Sequence, residues 1–526
     1  MELIKKNIHM DRIRSRATSQ ITIEDDMNVP DNKPDIERIV YDKGRVQIDE
    51  IKTSADRAQI NGKLEFFCLY ITNEEGRKVR VLEGSIPFQE QIYIEGLKNG
   101  DSVNVKADIE DLTIGLINSR KISVQSVITL IAYVDEIADE ETSVDIIHNE
   151  NSSDQIPIEY LKKRLSISEL AIQKKDVFRI KEEIQLPQEL PNIFEILWQN
   201  IDVNITEFKA MDEKLSLKGE MKVFILYEGE GEEQPIRWYE TTIPISGVVE
   251  CHSCEEGYIP DISYSISHID VDVRPDFDGE ERVIGIELPL ELQIKLYEQE
   301  DIDILSDVYG LQNEVNAVTQ KGHYKDLLIR NNGKFSIADH IKLNSGNERI
   351  LQLCHSDGQV QINEIKPVDN GIEVEGNAAI KVLYITNDDQ VPFSSVEGNI
   401  PFVHTIEVPN MSEDAERHIQ MSIDQMNVSM VDSEELDVKA DLHVAAVVFK
   451  PLDEDIIKEI QIKDLDLDRL KNLPGIVVYV VKKGDTLWKI GKTYNMSVNQ
   501  IKLLNNLTSD VIKPGDKLIL VKSLSA

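Results

Sequence analysis

Hydrophobic and polar residues alternate over many short segments of this chain, which is the pattern of half-buried β-strands. Residues 46–51 alternate in this way, and residues 63–71 form an apolar, aromatic and β-branched run. Comparable runs end in Asn-, Glu-, Gln- and Gly-containing turns at 73–76, 228–233 and 387–390. Short strands with frequent turns predict a mainly β fold, and the pattern leaves open whether the sheets form a sandwich or a barrel.

The pattern occurs three times with a period of 157 residues. In each copy a tyrosine lies eight residues after a glycine, and a proline that follows isoleucine lies seventeen residues after the tyrosine. The three sets are Gly62, Tyr70 and Pro87; Gly219, Tyr227 and Pro244; and Gly376, Tyr384 and Pro401. Upstream, Pro30 and Pro34 match Pro187 and Pro191, where the third copy has Asn344 and Glu348. Motifs that keep one register predict three tandem copies of one module, at 19–135, 166–298 and 323–451.

Polar and acidic stretches follow each predicted module. They cover residues 135–155, 299–320 and 452–474. We expect exposed linkers at these places, the second of which has room for a short helix.

The three copies also allow candidate chemical groups to be compared with their counterparts. Cys68, Cys251, Cys254 and Cys354 all stand where the other copies have apolar residues, as buried free cysteines do. Cys251 and Cys254 have the spacing of a redox motif or half a zinc site, but no second pair of ligands is evident. Gly491-Lys492-Thr493 lacks the earlier glycine of a phosphate loop, and other catalytic motifs are missing. We therefore expect no enzyme, no metal site and no cofactor.

Charge and composition narrow the possible partners. The 526 residues are 41% hydrophobic, which is ordinary for several globular domains. The net charge of −39 argues against nonspecific binding to nucleic acid or anionic membrane. The segment from Ile476 to Ala526 carries +5, which leaves −44 for the rest. The first residues lack the apolar core of a signal peptide, and no apolar run has the length of a membrane span, so we expect a cytoplasmic protein.

The basic C-terminal segment has its own pattern, which predicts a β-α-α-β domain at 477–522. A strand from Tyr479 leads through Gly484 into a helix that Asp485 or Thr486 caps. A second helix starts near Ser497, and residues 517–521 form the closing strand.

The string Tyr-Val-Val-Lys-Lys-Gly-Asp-Thr-Leu-Trp at 479–488, with Asn505 and the Ile-Lys-Pro-Gly-Asp-Lys-Leu close at 512–518, resembles a LysM domain. The resemblance implies a shallow groove between two loops, which in LysM domains binds glycans that contain N-acetylglucosamine. Gly484 and Leu487 also fit purely structural roles, in a turn and in the core, and Asp485 fits a cap as well as a ligand contact. The groove residues that the resemblance implies are Gly484, Asp485, Thr486, Leu487, Trp488, Asn505, Asn506, Ile512 and Pro514.

Tandem modules of this kind joined to a LysM domain resemble the SPOCS-LysM architecture of SipL-like spore coat morphogenetic proteins. This resemblance implies a non-enzymatic adaptor in the mother-cell cytoplasm, which attaches the coat to the forespore surface through a SpoIVA-like basement-layer protein. A glycan-binding anchor to peptidoglycan is the alternative, although an absent signal peptide opposes it. A wall hydrolase with a targeting LysM domain would need a catalytic constellation, and the comparison of the copies finds none.

Overall fold

The computed structural model describes residues 2–72, 78–147, 157–231, 235–343, 348–463 and 475–521. Over these ranges the chain is almost entirely antiparallel β-sheet, with two short helices near the C terminus. Module 1 contains β1 (Glu2–Asn28), β2 (Ile36–Ser54), β3 (Arg57–Thr72), β4 (Val79–Tyr93), β5 (Val103–Asn118) and β6 (Lys121–Ile147). Module 2 contains β7 (Ile158–Gln185), β8 (Ile193–Met211), β9 (Lys214–Gly229), β10 (Ile236–Glu250), β11 (Ile259–Ile266), β12 (Asp270–Pro275) and β13 (Glu281–Gly310). Module 3 contains β14 (Glu314–Lys342), β15 (Ile350–Val368), β16 (Gly371–Thr386), β17 (Phe393–Glu407), β18 (Glu416–Met430) and β19 (Glu435–Lys463).

Each module consists of two antiparallel sheets. In module 1 the strand orders are β1-β6-β5 and β2-β3-β4, and module 3 repeats them as β14-β19-β18 and β15-β16-β17. Module 2 follows the same plan, except that β11 and β12 together take the place of one strand beside β13. Apolar residues from both sheets form one core in modules 1 and 2 and two neighbouring cores in module 3, so each module is a sandwich. The prediction of a mainly β chain with three repeats and a small helical C-terminal domain is confirmed. The predicted module boundaries fall inside long strands and stay a prediction.

The repeated glycine has a steric cause. A Cβ atom on Gly219 would lie 2.2 Å from the carbonyl oxygen of Asn204 on the neighbouring strand. Gly62 and Gly376 face the same problem, at 2.5 and 2.4 Å from the equivalent carbonyls. In all three copies the neighbouring strand has a bulge at this position, which brings its main chain close. Only glycine allows that approach.

The repeated tyrosine holds a corner of each sandwich. Its hydroxyl donates a hydrogen bond to the main-chain carbonyl thirty-six residues earlier, in all three modules. The acceptors are Pro34 at 3.4 Å, Pro191 at 3.1 Å and Glu348 at 3.3 Å. The third module therefore keeps the bond although it has lost the proline, because the acceptor is a main-chain atom.

The prediction of exposed linkers is wrong for most of the residues that the structure describes, although 311–313 do connect two strands. Residues 135–147, 299–310 and 452–463 continue β6, β13 and β19, and residues 314–320 belong to β14 rather than to a helix. The remaining parts of the first and third linkers, 148–155 and 464–474, lie outside the described residues. The extensions form strands because the first strand of each module reaches back to pair with them, which satisfies their main-chain groups.

We call these paired extensions ribbons 1, 2 and 3. Ribbon 1 joins 2–13 to 135–147, ribbon 2 joins 158–170 to 297–310, and ribbon 3 joins 314–327 to 449–463. The three ribbons pack on one another through buried apolar residues and form a stalk. One of its cores contains Ile8, Met10, Leu165, Ile167, Ile302, Ile304, Tyr324 and Ile456. Since every ribbon contributes to this core, the stalk requires all three modules.

The modules are arranged in a ring with approximate threefold symmetry. The contacts come from β3, β9 and β16, the middle strands of the sheets β2-β3-β4, β8-β9-β10 and β15-β16-β17. One equivalent position on each of these strands packs against an aromatic or imidazole side chain of the next module. Module 3 makes this contact with module 1, which closes the ring. Phe67 stacks on Trp198 at 5.2 Å, and Phe224 stacks on His355 at 4.1 Å. The ammonium of Lys381 lies 4.8 Å from the centroid of the Tyr41 ring. These contacts belong to one apolar core that all three modules share.

The C-terminal domain has the predicted order of elements: β20 (Ile476–Val480), α1 (Leu487–Tyr494), α2 (Val498–Leu504) and β21 (Lys517–Val521). Thr486 caps α1, since its hydroxyl accepts from the amide of Lys489. Ser497 and Gln500 form a capping box at the start of α2. The two strands pair antiparallel, and both helices pack on them around a small core. Leu487 belongs to this core, as its alternative structural role predicted.

Candidate functional site

The first loop of the predicted groove is held together by its own side chains. Gly484 has a φ of 90°, which favours glycine. The Asp485 carboxylate accepts hydrogen bonds from the Lys482 amide at 2.8 Å and from the Tyr479 hydroxyl at 2.7 Å. These bonds, the backbone amide first, lower the pKa of Asp485. Asp485 therefore fixes the turn, while Thr486 is exposed at the mouth of the loop.

The second loop follows α2. Asn505 joins that helix to β21, because its amide nitrogen donates to the carbonyls of Ile501 and Ile519 and its oxygen accepts from the Ile519 amide at 2.6 Å. Asn506 has a φ of 53° and is exposed, as is Pro514. Ile512 is half-buried against the domain core.

Several of the nine predicted groove residues have hydrogen-bond partners in the structure. Trp488 faces module 2: its indole Nε1 donates to the Asp307 carboxylate at 2.8 Å, and its ring meets Tyr309 edge-on at 4.8 Å. The side-chain hydrogen bonds of Asp485, Thr486 and Asn505 all stay inside the C-terminal domain, within the described part of the chain. The groove itself stays a prediction, and its exposed candidates are Gly484, Thr486, Asn506 and Pro514.

A second polar region lies between the modules, and the sequence did not reveal it. The Asp11 carboxylate of module 1 is buried and accepts from Lys325 of module 3 at 2.5 Å and from Lys295 of module 2 at 3.0 Å. The Tyr297 hydroxyl donates to it at 2.8 Å. Burial opposes the charged carboxylate, but the two ammonium groups outweigh it and lower the pKa of Asp11. The network joins all three modules through one buried anion.

A histidine extends this network. His418 of module 3 lies between the carboxylates of Asp261, in module 2, and Glu416, and the second contact measures 2.9 Å. Burial disfavours the imidazolium, but these carboxylates raise the pKa of His418 to about 10. His418 is therefore protonated at neutral pH and acts as a cation between two modules.

Another layer of the ring has the same character. Lys43, Asn200 and Asp357 occupy one equivalent position in the three modules. The Lys43 ammonium donates to Asn200 at 2.7 Å and to Asp357 at 2.6 Å. Burial opposes the charge of Asp357, but the adjacent Lys43 lowers the pKa of this carboxyl. Every polar group at this layer thus has a partner from another module.

Neither the network around Asp11 nor the layer at Lys43 has the composition of a metal centre. Within the described ranges, no group of three or more His, Cys, Asp and Glu side chains has a geometry that would hold a metal ion. Cys68, Cys251, Cys254 and Cys354 are buried free thiols. Burial raises the pKa of Cys254 to about 11 and those of Cys68 and Cys354 to about 12, which leaves little thiolate at neutral pH. None of the helices among the described residues is long and apolar enough to cross a bilayer.

Family models match both the three modules and the C-terminal domain. The SipL SPOCS domain matches residues 35–117, 192–274 and 349–431, and the LysM domain matches residues 479–521. The chain has the SipL-like architecture. Each SPOCS match begins near β2, β8 or β15 and ends near the last strand but one of its module. A role in sporulation is consistent with the SipL family, whose domains suggest a function in the spore coat. The LysM domain is a peptidoglycan-binding domain.

Curated relatives match only the C-terminal domain. The N-acetylmuramoyl-L-alanine amidase sle1 of Staphylococcus saprophyticus is 49% identical over 55 residues, which are 10% of this chain and 17% of the relative. The probable peptidoglycan endopeptidase LytE of Bacillus subtilis is 51% identical over 47 residues, 9% of this chain and 14% of the relative. The uncharacterized protein YkzQ of Bacillus subtilis is 53% identical over 38 residues, 7% of this chain and 51% of the relative. The chain therefore spans less than a fifth of the two enzymes, in the LysM domain and not in a catalytic domain. No solved structure matches the chain.

Proposed function

We propose that this SipL-like protein is a non-enzymatic adaptor of spore coat assembly in the mother-cell cytoplasm. Its LysM domain would bind a SpoIVA-like protein of the coat basement layer, and its three SPOCS modules would carry coat contacts. The observation that carries the proposal is the joining of one ring of three SPOCS modules, which share buried cores, to a single LysM domain at the tip of the stalk. An adaptor needs two separated surfaces, and the ring and the LysM domain provide them.

Charge supports a protein partner. The LysM segment is basic, at +5, whereas the SPOCS body carries about −44. The basic LysM domain attracts an acidic surface, whereas the acidic ring repels it. The partner surface that fits the LysM domain is therefore acidic, and binding should weaken as salt rises.

The test is a pull-down of the SpoIVA-like protein from sporulating cells with the full chain and with a chain that ends at residue 475. We expect the full chain to recover the partner and the shortened chain to lose it, because the shortened chain keeps the ring and lacks β20 onwards. Equal recovery by both would refute the adaptor role of the LysM domain. Circular dichroism of the shortened chain must still show the β-rich spectrum of the ring, so that loss of binding reports on the missing domain.

A glycan-binding anchor is the second candidate. Two enzymes that share the LysM domain are named for peptidoglycan and for an N-acetylmuramoyl linkage, which makes this polymer the glycan to test. The exposed groove residues Thr486, Asn506 and Pro514 are available to a sugar. Under this function the full chain would sediment with purified peptidoglycan.

A variant that spares the fold separates the two candidates. Asn506→Gly keeps the left-handed backbone and removes only the exposed amide. Asn499→Ala, on the exposed surface of α2, is the matched control. Sedimentation with peptidoglycan that Asn506→Gly abolishes and Asn499→Ala preserves would establish the glycan function. No sedimentation, together with recovery of the SpoIVA-like protein, would reject it.

A further inference from the structure

The LysM domain is in direct contact with module 2, through one face of α1. Asp307, near the tip of ribbon 2, receives both the Trp488 indole at 2.8 Å and the Lys492 ammonium at 2.5 Å on its two carboxylate oxygens. The Tyr309 hydroxyl donates to the carbonyl of Met496 at 2.9 Å. The Asn495 amide donates to the carbonyl of Gly310 at 2.9 Å. These four bonds reach two different parts of the LysM domain, so they fix its orientation as well as its position.

The contact belongs to ribbon 2 for a reason that the three repeats make visible. The strand registers align Asp307 with Asp145 of ribbon 1 and Glu459 of ribbon 3, so all three tips carry a carboxylate. They align Tyr309 with Ile147 and Gln461. Among the three ribbons, a tyrosine at this position is thus specific to ribbon 2. Its ring is the one that Trp488 packs against.

The helix is shaped to receive that tyrosine. A Cβ on Gly491 would lie 2.6 Å from the Tyr309 hydroxyl oxygen and 2.6 Å from the carbonyl oxygen of Met496. Gly491 and Lys492 are the residues that resembled the end of a phosphate loop. In the structure, Gly491 makes room for the tyrosine and Lys492 neutralises Asp307. Burial, followed by the nearby carboxylates of Glu159 and Asp307, raises the pKa of Tyr309, so its hydroxyl stays protonated and donates.

We propose that the surface formed by Trp488, Gly491 and Lys492 of α1, together with the C-cap residue Asn495, is a docking surface for the tip of ribbon 2, and that it fixes the LysM domain to the stalk. Trp488 then serves this internal interface and is not offered to a glycan or a protein in the groove. Any partner held in the groove is held at one orientation relative to the ring. The inference stands whether that partner is a protein or a glycan, so its failure and that of the proposed function are independent.

Zero-length carbodiimide coupling of the full chain tests the docking. The reagent activates a carboxylate as an O-acylisourea. A lysine amine in contact attacks the acyl carbon, forms an amide and releases the reagent as a urea. Mass spectrometry of the digest identifies the amide. Lys492 and Asp307 are 46% and 29% exposed in their side chains, so both are accessible to the reagent. We expect an amide between them. Lys502 and Asp510, 2.7 Å apart inside the LysM domain, are the positive control because they couple whether or not the domain is docked.

Two matched substitutions make the result decisive. Tyr309→Ala removes the aromatic contact and one hydrogen bond, and we expect it to lower the yield of the Lys492–Asp307 amide about tenfold. Ile147→Ala, at the equivalent position of ribbon 1, should leave that yield unchanged. Coupling of Lys163 to Glu454, which joins ribbons 2 and 3, shows that the stalk remains intact in each variant. An unchanged yield in Tyr309→Ala would overturn the proposal. So would a missing Lys492–Asp307 amide in the unmodified chain when the positive control couples.

Discussion

The buried ion pair between modules 1 and 3 gives a quantitative test of how the ring is held together. Asp11 and Lys325 have side chains that are 1% and 6% exposed, and their charged atoms are 2.5 Å apart. Removing one member of such a pair leaves an uncompensated buried charge, which costs about 3–5 kcal/mol, whereas removing both costs far less. Lys325→Met leaves Asp11 with Lys295 and Tyr297, so its cost falls at the low end, about 3 kcal/mol.

Asp11→Leu should cost at least as much, about 3–5 kcal/mol, because it removes the shared acceptor of two lysines and a tyrosine and leaves Lys325 with the longer contact to Glu416, at 3.3 Å. The double variant keeps a partner for the remaining cation, since Lys295 also contacts Asp135 at 3.2 Å. We therefore expect Asp11→Leu combined with Lys325→Met to recover at least about 2 kcal/mol relative to Asp11→Leu alone. Lys5→Met is the matched control: its pair with Glu141 lies on the surface of ribbon 1, so its loss costs below about 1 kcal/mol.

Native-state hydrogen exchange of β1 and β14 measures these energies locally, which avoids treating a chain of several modules as a two-state system. The opening free energy of amides near residues 8–11 and 322–326 should fall by the amounts given. If Lys325→Met and Lys5→Met have equal effects of below about 1 kcal/mol, the buried pair does not hold the modules together and the reasoning is refuted.

Three further outcomes follow from the structure. Because the raised pKa of His418, about 10, lies above the value of about 6.5 in an unfolded chain, its stabilisation is complete below pH 6.5 and is lost as pH rises through 10; the gap in melting temperature between the protein and His418→Gln should therefore narrow from pH 6 to pH 10. Gly219→Val should cost about 1–3 kcal/mol in chemical denaturation, because its side chain meets a main-chain carbonyl, and Gly115→Ala, which approaches only a serine hydroxyl, should cost less. Asn505→Ala should lower the exchange protection of the LysM domain by about 2–3 kcal/mol through three lost hydrogen bonds, and Asn506→Gly should leave it unchanged.

Local patterns predicted the parts of the fold that local physics controls. The alternation of 46–51 places these residues in β2, and the repeated glycine and tyrosine mark a close approach and a corner bond in every module. In the LysM domain the caps at Thr486 and Ser497 set the helix starts where the sequence placed them. Short-range signals of this kind need no knowledge of distant partners.

The ribbons were missed because acidic composition resembles that of a linker. Residues 135–147 carry many carboxylates, yet they form a strand because β1 supplies a pairing partner more than a hundred residues away in sequence. Pairing at that separation leaves no local pattern. The same limit applies to Trp488, since nothing near it in sequence indicates that Asp307 receives its indole.

Comparison of the copies also concealed the polar layers of the ring, for a reason that explains how the ring closes. Agreement between the copies marks the positions that every module needs, but it does not mark positions where the modules must differ. On a threefold axis, however, identical ionisable residues would face one another, and three lysines or three aspartates would repel. Lys43 with Asn200 and Asp357, and Asp11 with Ser168 and Lys325, avoid this by being different in each copy. Divergence at these two layers is therefore what fits one module against the next in a fixed order, and it makes the three copies unable to replace one another.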